Sequence, residues 1–385
     1  MTWGTKGLAL MSRPAELQSI QILRALAATL VVVGHSFHDS SYIAERTGRL
    51  TIDLPYFDWG FGVDIFFAIS GFIMIYTSAH AFGCSGAGST FLQRRFVRIA
   101  PLYWLMTTAL ILVFVFAPNF LNVQIENWRS VIMSFLFIPD IRGDGEVRPI
   151  LAAGWTLNYE MFFYAIFACC LALPLRRGVI CLIGCFVGIT ALGALVPLPG
   201  IALPFWTDSI ILEFVIGVLI GLACLSGTRL PPSIAVPLVV IAIIASIALG
   251  PLWGWNQTLP RFLYAGVPAG LLVAVAALGP RLPLTRLTLP LVAVGDASYS
   301  LYLTHPFVLR PFRNLWMVLD GGMLPLDLYV TVCVLVGIGG AIAVYRLVER
   351  PLTNSLKPRK HGLVKLRDEL IPAAETPLLQ RAAQP

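Results

Sequence analysis

Apolar residues along this chain gather into long runs separated by short polar stretches. Ten runs stand out, at about 20–38, 58–78, 99–117, 150–173, 178–198, 207–227, 232–250, 260–279, 291–313 and 325–347. Each approaches the roughly 20 residues a helix needs to cross a bilayer core. Gly and Pro punctuate most junctions, as in PNF at 118–120, PLPG at 197–200 and RLPP at 229–232. The pattern predicts an all-α protein, a polytopic transmembrane bundle of about ten helices. Neither a short repeat nor an inverted duplication is visible.

Composition agrees. The 385 residues are 57% hydrophobic and 12% charged, against about 25% charged in soluble domains. The expected organisation is an N-terminal cytoplasmic segment, 1–19, a membrane bundle, 20–350, and a flexible cytoplasmic tail, 351–385. The first apolar run is long for a signal-peptide core and lacks an A-x-A-type site, so it reads as a retained helix. Only 118–149 is long enough for a loop with structure of its own. Its NWRSVIMSFLFIP stretch is expected to lie in the interface or re-enter the membrane.

The net charge of +7 could suggest nucleic acid, but its distribution points to topology. With a cytoplasmic N-terminus, the inner segments carry 18 Lys/Arg and 5 Asp/Glu, and the outer ones 8 and 11. This bias places both termini in the cytoplasm and removes the case for a nucleic-acid partner. The seven cysteines form no C-x-x-C pair and no metal-ligand spacing with histidine, so no metal is expected.

Several polar residues then sit where lipid should exclude them. Arg24 and His35 lie in ILRALAATLVVVGHSF, 22–37. Eleven residues at about 100° each bring them within about 20° of the same helix face, about 16 Å apart along the axis. Ionisable groups in a membrane segment mark function by default. Imidazole can exchange a proton or accept an acyl group near neutral pH, which makes His35 the catalytic candidate; His38 follows one turn on. Arg95 and Arg98, one turn apart in QRRFVRIAPLYW (93–104), join Arg24 at the expected cytoplasmic mouth. Guanidinium groups bind phosphates bidentately, so the three suggest an anionic donor. Glu160 lies inside the fourth run at a level expected to be near His35, where a carboxylate could orient the ring. Ser298, Tyr302 and His305 share a face at spacings of four and three. Asp64, just inside the second run, reads better as a packing or capping residue than as a cavity one.

These blocks, in this order, resemble the integral-membrane acyltransferase-3 family, and most of all its exopolysaccharide O-acetyltransferases. The matching stretches are RALAATLVVVGH (24–35), GVDIFFAISGFIM (62–74), RRFVRIAPLYW (94–104), WTLNYEMFFY (155–164) and SYSLYLTH (298–305). The family's arginine–histidine pair falls on Arg24 and His35, its R-x-x-R on Arg95 and Arg98, and its tryptophan–glutamate block on Trp155 and Glu160. Thr156 stands where serine is common. The resemblance implies transfer of an acyl group, acetyl above all, from cytoplasmic acyl-CoA to a sugar hydroxyl of an exported polysaccharide or its lipid-linked precursor. It also implies a bacterial inner membrane, a saccharide acceptor, contact with membrane lipid and polysaccharide assembly proteins as partners. His35 and Glu160 would be catalytic, and Arg24, Arg95 and Arg98 would hold the donor. His38, Asp64, Trp155, Tyr302 and His305 are further candidates for the cavity wall. Many relatives carry an extracytoplasmic hydrolase-like domain after the bundle; none is found here, so transfer is expected to finish within the bundle.

The same membrane histidines and carboxylates would also suit a proton-coupled exporter or flippase of lipid-linked saccharide. The lack of an internal repeat and the arginine cluster favour acyl transfer.

Overall fold

The computed structural model describes residues 15–49, 57–117, 125, 127–250, 259–283, 285–320 and 324–356. Every regular element among them is helical, and the nearest approach to a sheet is one isolated bridge, Ile141 to Val147. In chain order the helices are α1 (Ala15–Thr47), α2 (Phe61–Ser78), α3 (Ala87–Phe116), α4 (Trp128–Phe135), α5 (Trp155–Cys170), α6 (Leu175–Leu195), α7 (Leu212–Leu225), α8 (Pro232–Leu249), α9 (Val267–Leu278), α10 (Thr288–Asp296), α11 (Ser298–Asp320), α12 (Leu326–Val344) and α13 (Arg350–Leu356). A one-turn helix, Ala202–Trp206, precedes α7, and π-helical turns at Phe262–Gly266 and Tyr345–Glu349 lead into α9 and α13. Helices suit these sequences because apolar runs in lipid must satisfy every backbone N–H and C=O internally.

Among the described residues, seven helices are long and apolar enough to cross a membrane, which makes this a multi-pass membrane protein. The expectation of ten crossings is met only in part. Helices occupy all ten runs, but those in the fourth, eighth and ninth are too short or too polar to cross unaided. Helix α5 has 16 residues, α9 has 12, and the ninth run breaks at Ala297 into α10 and the polar, proline-containing α11. Helix α13 runs from Arg350 to Leu356. Residues 1–14 and 357–385, which hold most of the expected N-terminal segment and tail, lie outside the described residues. The NWRSVIMSFLFIP stretch forms α4, capped by the Asn127 side chain, which accepts from the Ser130 amide.

Helix α2 is the hub. Of its most apolar stretch, 72% is buried inside the protein. It packs against α7 through small residues facing backbone: a Cβ on Gly217 would lie 2.0 Å from the Ala68 carbonyl oxygen, and one on Gly71 2.0 Å from that of Phe214. Without a hydrophobic drive between helices in lipid, such close approach supplies the packing contacts. Gly62 does the same toward the Ala27 carbonyl of α1, and Gly295 of α10 toward that of Gln21. An aromatic stack, Phe67–Phe214–Phe163–Phe186, with centroids 4.7, 4.4 and 5.6 Å apart, ties α2, α7, α5 and α6 together. At the rim, α8 buries little and exposes Ile234, Val236, Val240, Ile241, Ile243, Ile244 and Ile247. In water that surface would be an aggregation patch; in a bilayer it faces lipid.

Two buried carboxylates are paired with arginines. Asp64, fully buried in the first turn of α2, accepts both arms of Arg261 at 2.9 and 2.8 Å, and Arg261 also reaches Asp58 at 3.1 Å. The bidentate fork fixes the entry of α2 against the π turn before α9. Asp39 near the end of α1 is held by Arg313 of α11 at 2.9 Å.

Candidate active site

Two cavities lie one above the other along the bundle. The smaller, about 140 Å³, is walled by Arg24, Arg95, Arg98, Glu160, Tyr164, Ser70 and Ser298, with Phe66, Phe67, Met74 and Ile99 between them. The larger, about 600 Å³, is walled by His35, His38, His305, Trp59, Trp155, Arg142, Arg148 and Arg310. Four helices record the stacking. On α1, Arg24 faces the arginine cavity, and Val31, Gly34, His35 and His38 face the histidine cavity. On the antiparallel α2, its N-cap Gly60 faces the histidine side, and Phe66 to Met74 face the arginine side. On α3, Arg95 to Ile99 and then Leu110 follow in the same order as α1; on α11, Ser298 and Tyr299 give way to His305 and Arg310. Val63 and Tyr302 line both cavities.

The arginine cavity assembles the three cations the sequence singled out. Arg95 donates to Thr77 Oγ1 at 3.3 Å and lies over the Phe91 ring, its Nε without a partner. Neither Arg24 nor Arg95 makes a salt bridge among the described residues. Arg98 differs. It is ion-paired with Glu349, a fully buried carboxylate in the π turn after α12, and Glu349 also accepts from Ser300 Oγ at 2.5 Å. Arg98 also lies over the Tyr299 ring, and Tyr299 Oη donates to the Ile99 carbonyl at 2.7 Å, clamping α11 to α3.

Glu160 is where the structure corrects the sequence reading. It does not orient His35. It accepts from Ser70 Oγ at 3.1 Å and from Tyr164 Oη, and Arg95 and Arg24 are near enough for their charges to act on it. The cause is helical rise. Thr156 already sits beside Tyr302 at the boundary between the cavities, and Glu160 lies one turn beyond it, about 6 Å toward the arginines.

The neighbour His35 does have is His305. Their ring centroids are 4.8 Å apart with planes inclined at 31°. His35 is exposed to the cavity, while His305 is buried, its Nδ1 3.2 Å from the Leu301 carbonyl. A carbonyl only accepts, so Nδ1 is the donor in this contact. Trp59 lies against the α1 backbone here, since a Cβ on Gly34 would come within 2.3 Å of Trp59 Cβ, and its ring stacks on Phe37 at 5.2 Å. In the loop at the mouth, Arg142 ion-pairs with Asp144 and holds that carboxyl down at about 2.

His35, His38, Trp155, Tyr302 and His305 thus share the histidine cavity, and Arg24, Arg95, Arg98 and Glu160 the other. Asp64 lines neither cavity; its pairing with Arg261 is that of a packing residue. Glu349, Arg148 and Arg310 were missed. Arg310 carried a usable signal, a charge at the end of an apolar run. Glu349 carried none, because its partner is 251 residues away.

Sequence comparison places this architecture in a class. The Acyltransferase domain family, acyltransferase-3, matches residues 17–346, and the chain belongs to that family. It is 32% identical over 321 residues to the exopolysaccharide production protein ExoZ of Rhizobium meliloti (strain 1021), an alignment covering 83% of this chain and 96% of that one. No solved structure matches.

Proposed function

We propose that this protein transfers an acyl group, acetyl above all, from cytoplasmic acyl-CoA to a sugar hydroxyl of an exported polysaccharide or its lipid-linked precursor, in a bacterial inner membrane. One observation carries the reading: a cation-lined cavity and a histidine-lined cavity meet end to end inside a membrane acyltransferase. Coenzyme A is polyanionic at one end and carries its thioester on a long, thin arm. Arg95 and Arg24 would take phosphate oxygens, with Arg98 beside them partly neutralised by Glu349. The arm would then direct the thioester toward His35, about 16 Å further along α1. Glu160, with Ser70 and Tyr164, would hold Arg24 and Arg95 in place against the wall. The histidine cavity would receive the sugar, with Trp59 and Trp155 as apolar surfaces for its ring. The similarity to an exopolysaccharide production protein supports that acceptor class.

At His35 the acceptor oxygen attacks the thioester carbon, the C–S bond breaks, coenzyme A leaves as thiolate and the hydroxyl proton passes to imidazole. If the imidazole is acylated first, the acyl–nitrogen bond breaks in a second displacement. The test uses purified protein in lipid with acetyl-labelled acetyl-CoA, with and without saccharide, for wild type and His35→Ala. Label on wild type but not on the variant supports the proposal by the two-step route. Coenzyme A release that needs both saccharide and His35 supports direct transfer. Absence of His35-dependent release with every saccharide tried overturns the proposal and favours saccharide transport.

A further inference from the structure

Tyr302 and Val63 stand between two polar cavities and line both. Both side chains are nearly buried, at 7% and 6% exposure. On one side of them are the guanidinium groups of α1 and α3, and on the other the imidazoles of α1 and α11. These two side chains are shared by a cavity lined by charge and one lined by histidine, within a protein that crosses a membrane.

The phenol is held, not loose. Thr156 Oγ1 donates to Tyr302 Oη at 3.1 Å, and Phe66 meets the Tyr302 ring edge-to-face at 6.1 Å. Thr156 is itself anchored 3.2 Å from the Ala153 carbonyl. The bond joins α5 to α11 at the level where the cavities touch, and Val63 of α2 lines both cavities there. An apolar and aromatic constriction of this kind excludes water and ions without filling the whole cross-section.

We infer that Tyr302 and Val63, latched by Thr156, form a septum that seals the protein at rest and opens only enough for a slender acyl thioester to pass from the arginine cavity to His35. The inference rests on the proposed transfer for its second half; the seal stands on geometry alone. A chain entering end-on displaces one phenol ring, so the septum selects against girth. A straight acyl group passes, and a branched or aromatic one meets Val63.

The experiment has two readouts on folded protein in liposomes: proton leak under an imposed potential, followed with an entrapped pH dye, and relative turnover of acetyl-, isobutyryl- and benzoyl-CoA. The variants are Tyr302→Ala, Val63→Ala and Tyr302→Phe. Wild type is expected to be tight and to prefer acetyl- over isobutyryl-CoA at least tenfold. Tyr302→Ala and Val63→Ala are expected to raise the leak about tenfold and bring that preference within threefold. Tyr302→Phe, which keeps the ring but loses the bond to Thr156, is expected to leak more than wild type while retaining the acyl preference. Unchanged leak in both alanine variants overturns the seal. Raised leak with unchanged acyl preference overturns the passage. If wild type shows no His35-dependent turnover, the transferase reading falls, and the leak comparison still decides the septum.

Discussion

His35 and His305 face each other at 4.8 Å, one ring open to the larger cavity and the other buried behind it with its Nδ1 proton on the Leu301 carbonyl. A reacting imidazole backed by a second, oriented imidazole calls for unequal losses. His35→Ala is expected to lower transfer at least about 100-fold, the usual scale for a general base. His305→Ala is expected to lower kcat about tenfold and leave the KM for acyl-CoA unchanged, because His305 does not line the donor cavity. Steady-state kinetics on both variants check this.

Arg95 lines the donor cavity with an unpartnered Nε. Arg95→Ala should raise the KM for acyl-CoA about tenfold, the value of roughly one charge-assisted hydrogen bond, with a smaller effect on kcat. Arg95→Lys should recover only part of it, since an ammonium lacks the planar fork that matches phosphate.

Arg98 and Glu349 make a different prediction. Glu349→Gln removes the carboxylate that neutralises Arg98, which is one-third exposed and so can be partly rescued by solvent. Thermal stability in lipid is expected to fall, by about 1–2 kcal/mol after that discount. Acyl-CoA, measured by equilibrium binding, is expected to bind more tightly, because a free guanidinium then joins Arg24 and Arg95.

Asp64 separates stability from chemistry. Asp64→Asn breaks a bidentate pair whose carboxylate is fully buried, at a cost of about 3 kcal/mol. The unfolding midpoint should drop by several degrees, and turnover per folded molecule should stay near wild type because Asp64 lines neither cavity. Loss of specific activity without loss of stability would refute that assignment.

Gly217→Ala probes the hub. The added Cβ would lie 2.0 Å from the Ala68 carbonyl oxygen, so α7 and α2 must part or the helix must bend. Overpacking of this sort costs about 1–3 kcal/mol or more, and the yield of monodisperse protein after gel filtration should fall sharply. Gly184→Ala on α6, where a Cβ meets nothing within 4 Å, is the matched control.

Placement along a single helix was legible in the sequence. Arg24 and His35 sit on one face of α1 at a fixed separation, and each lines the cavity at its own end. Ser298, Tyr302 and His305 likewise run in order from one cavity to the other along α11. Placement failed where two helices must be compared. Glu160 and His35 were given similar depths by counting residues from the ends of separate apolar runs, and an error of one turn moves a side chain about 6 Å, enough to change cavities. Glu349 was beyond reach because no periodicity links α12 to α3. The number of membrane crossings was uncertain for a related reason. The ninth run loses hydropathy to the very residues, Tyr302, His305 and Arg310, that give the protein its interior, while α5 and α9 are simply short helices.

Helix α1 has 33 residues, about 50 Å at 1.5 Å per residue, against a hydrocarbon core of about 30 Å. With the hydrocarbon core starting at residue 20, where the apolar run begins, its last turns, with Asp39 tied to Arg313 and Arg46 lying over Tyr42, would stand clear of the lipid tails, and His35 would sit near the level where the helix emerges. On the proposed reaction, a polymer need present only one sugar unit at the rim while its remaining length stays in water. Such an enzyme is indifferent to how long its substrate has grown, and the same residue could be decorated on a short precursor or on a finished strand.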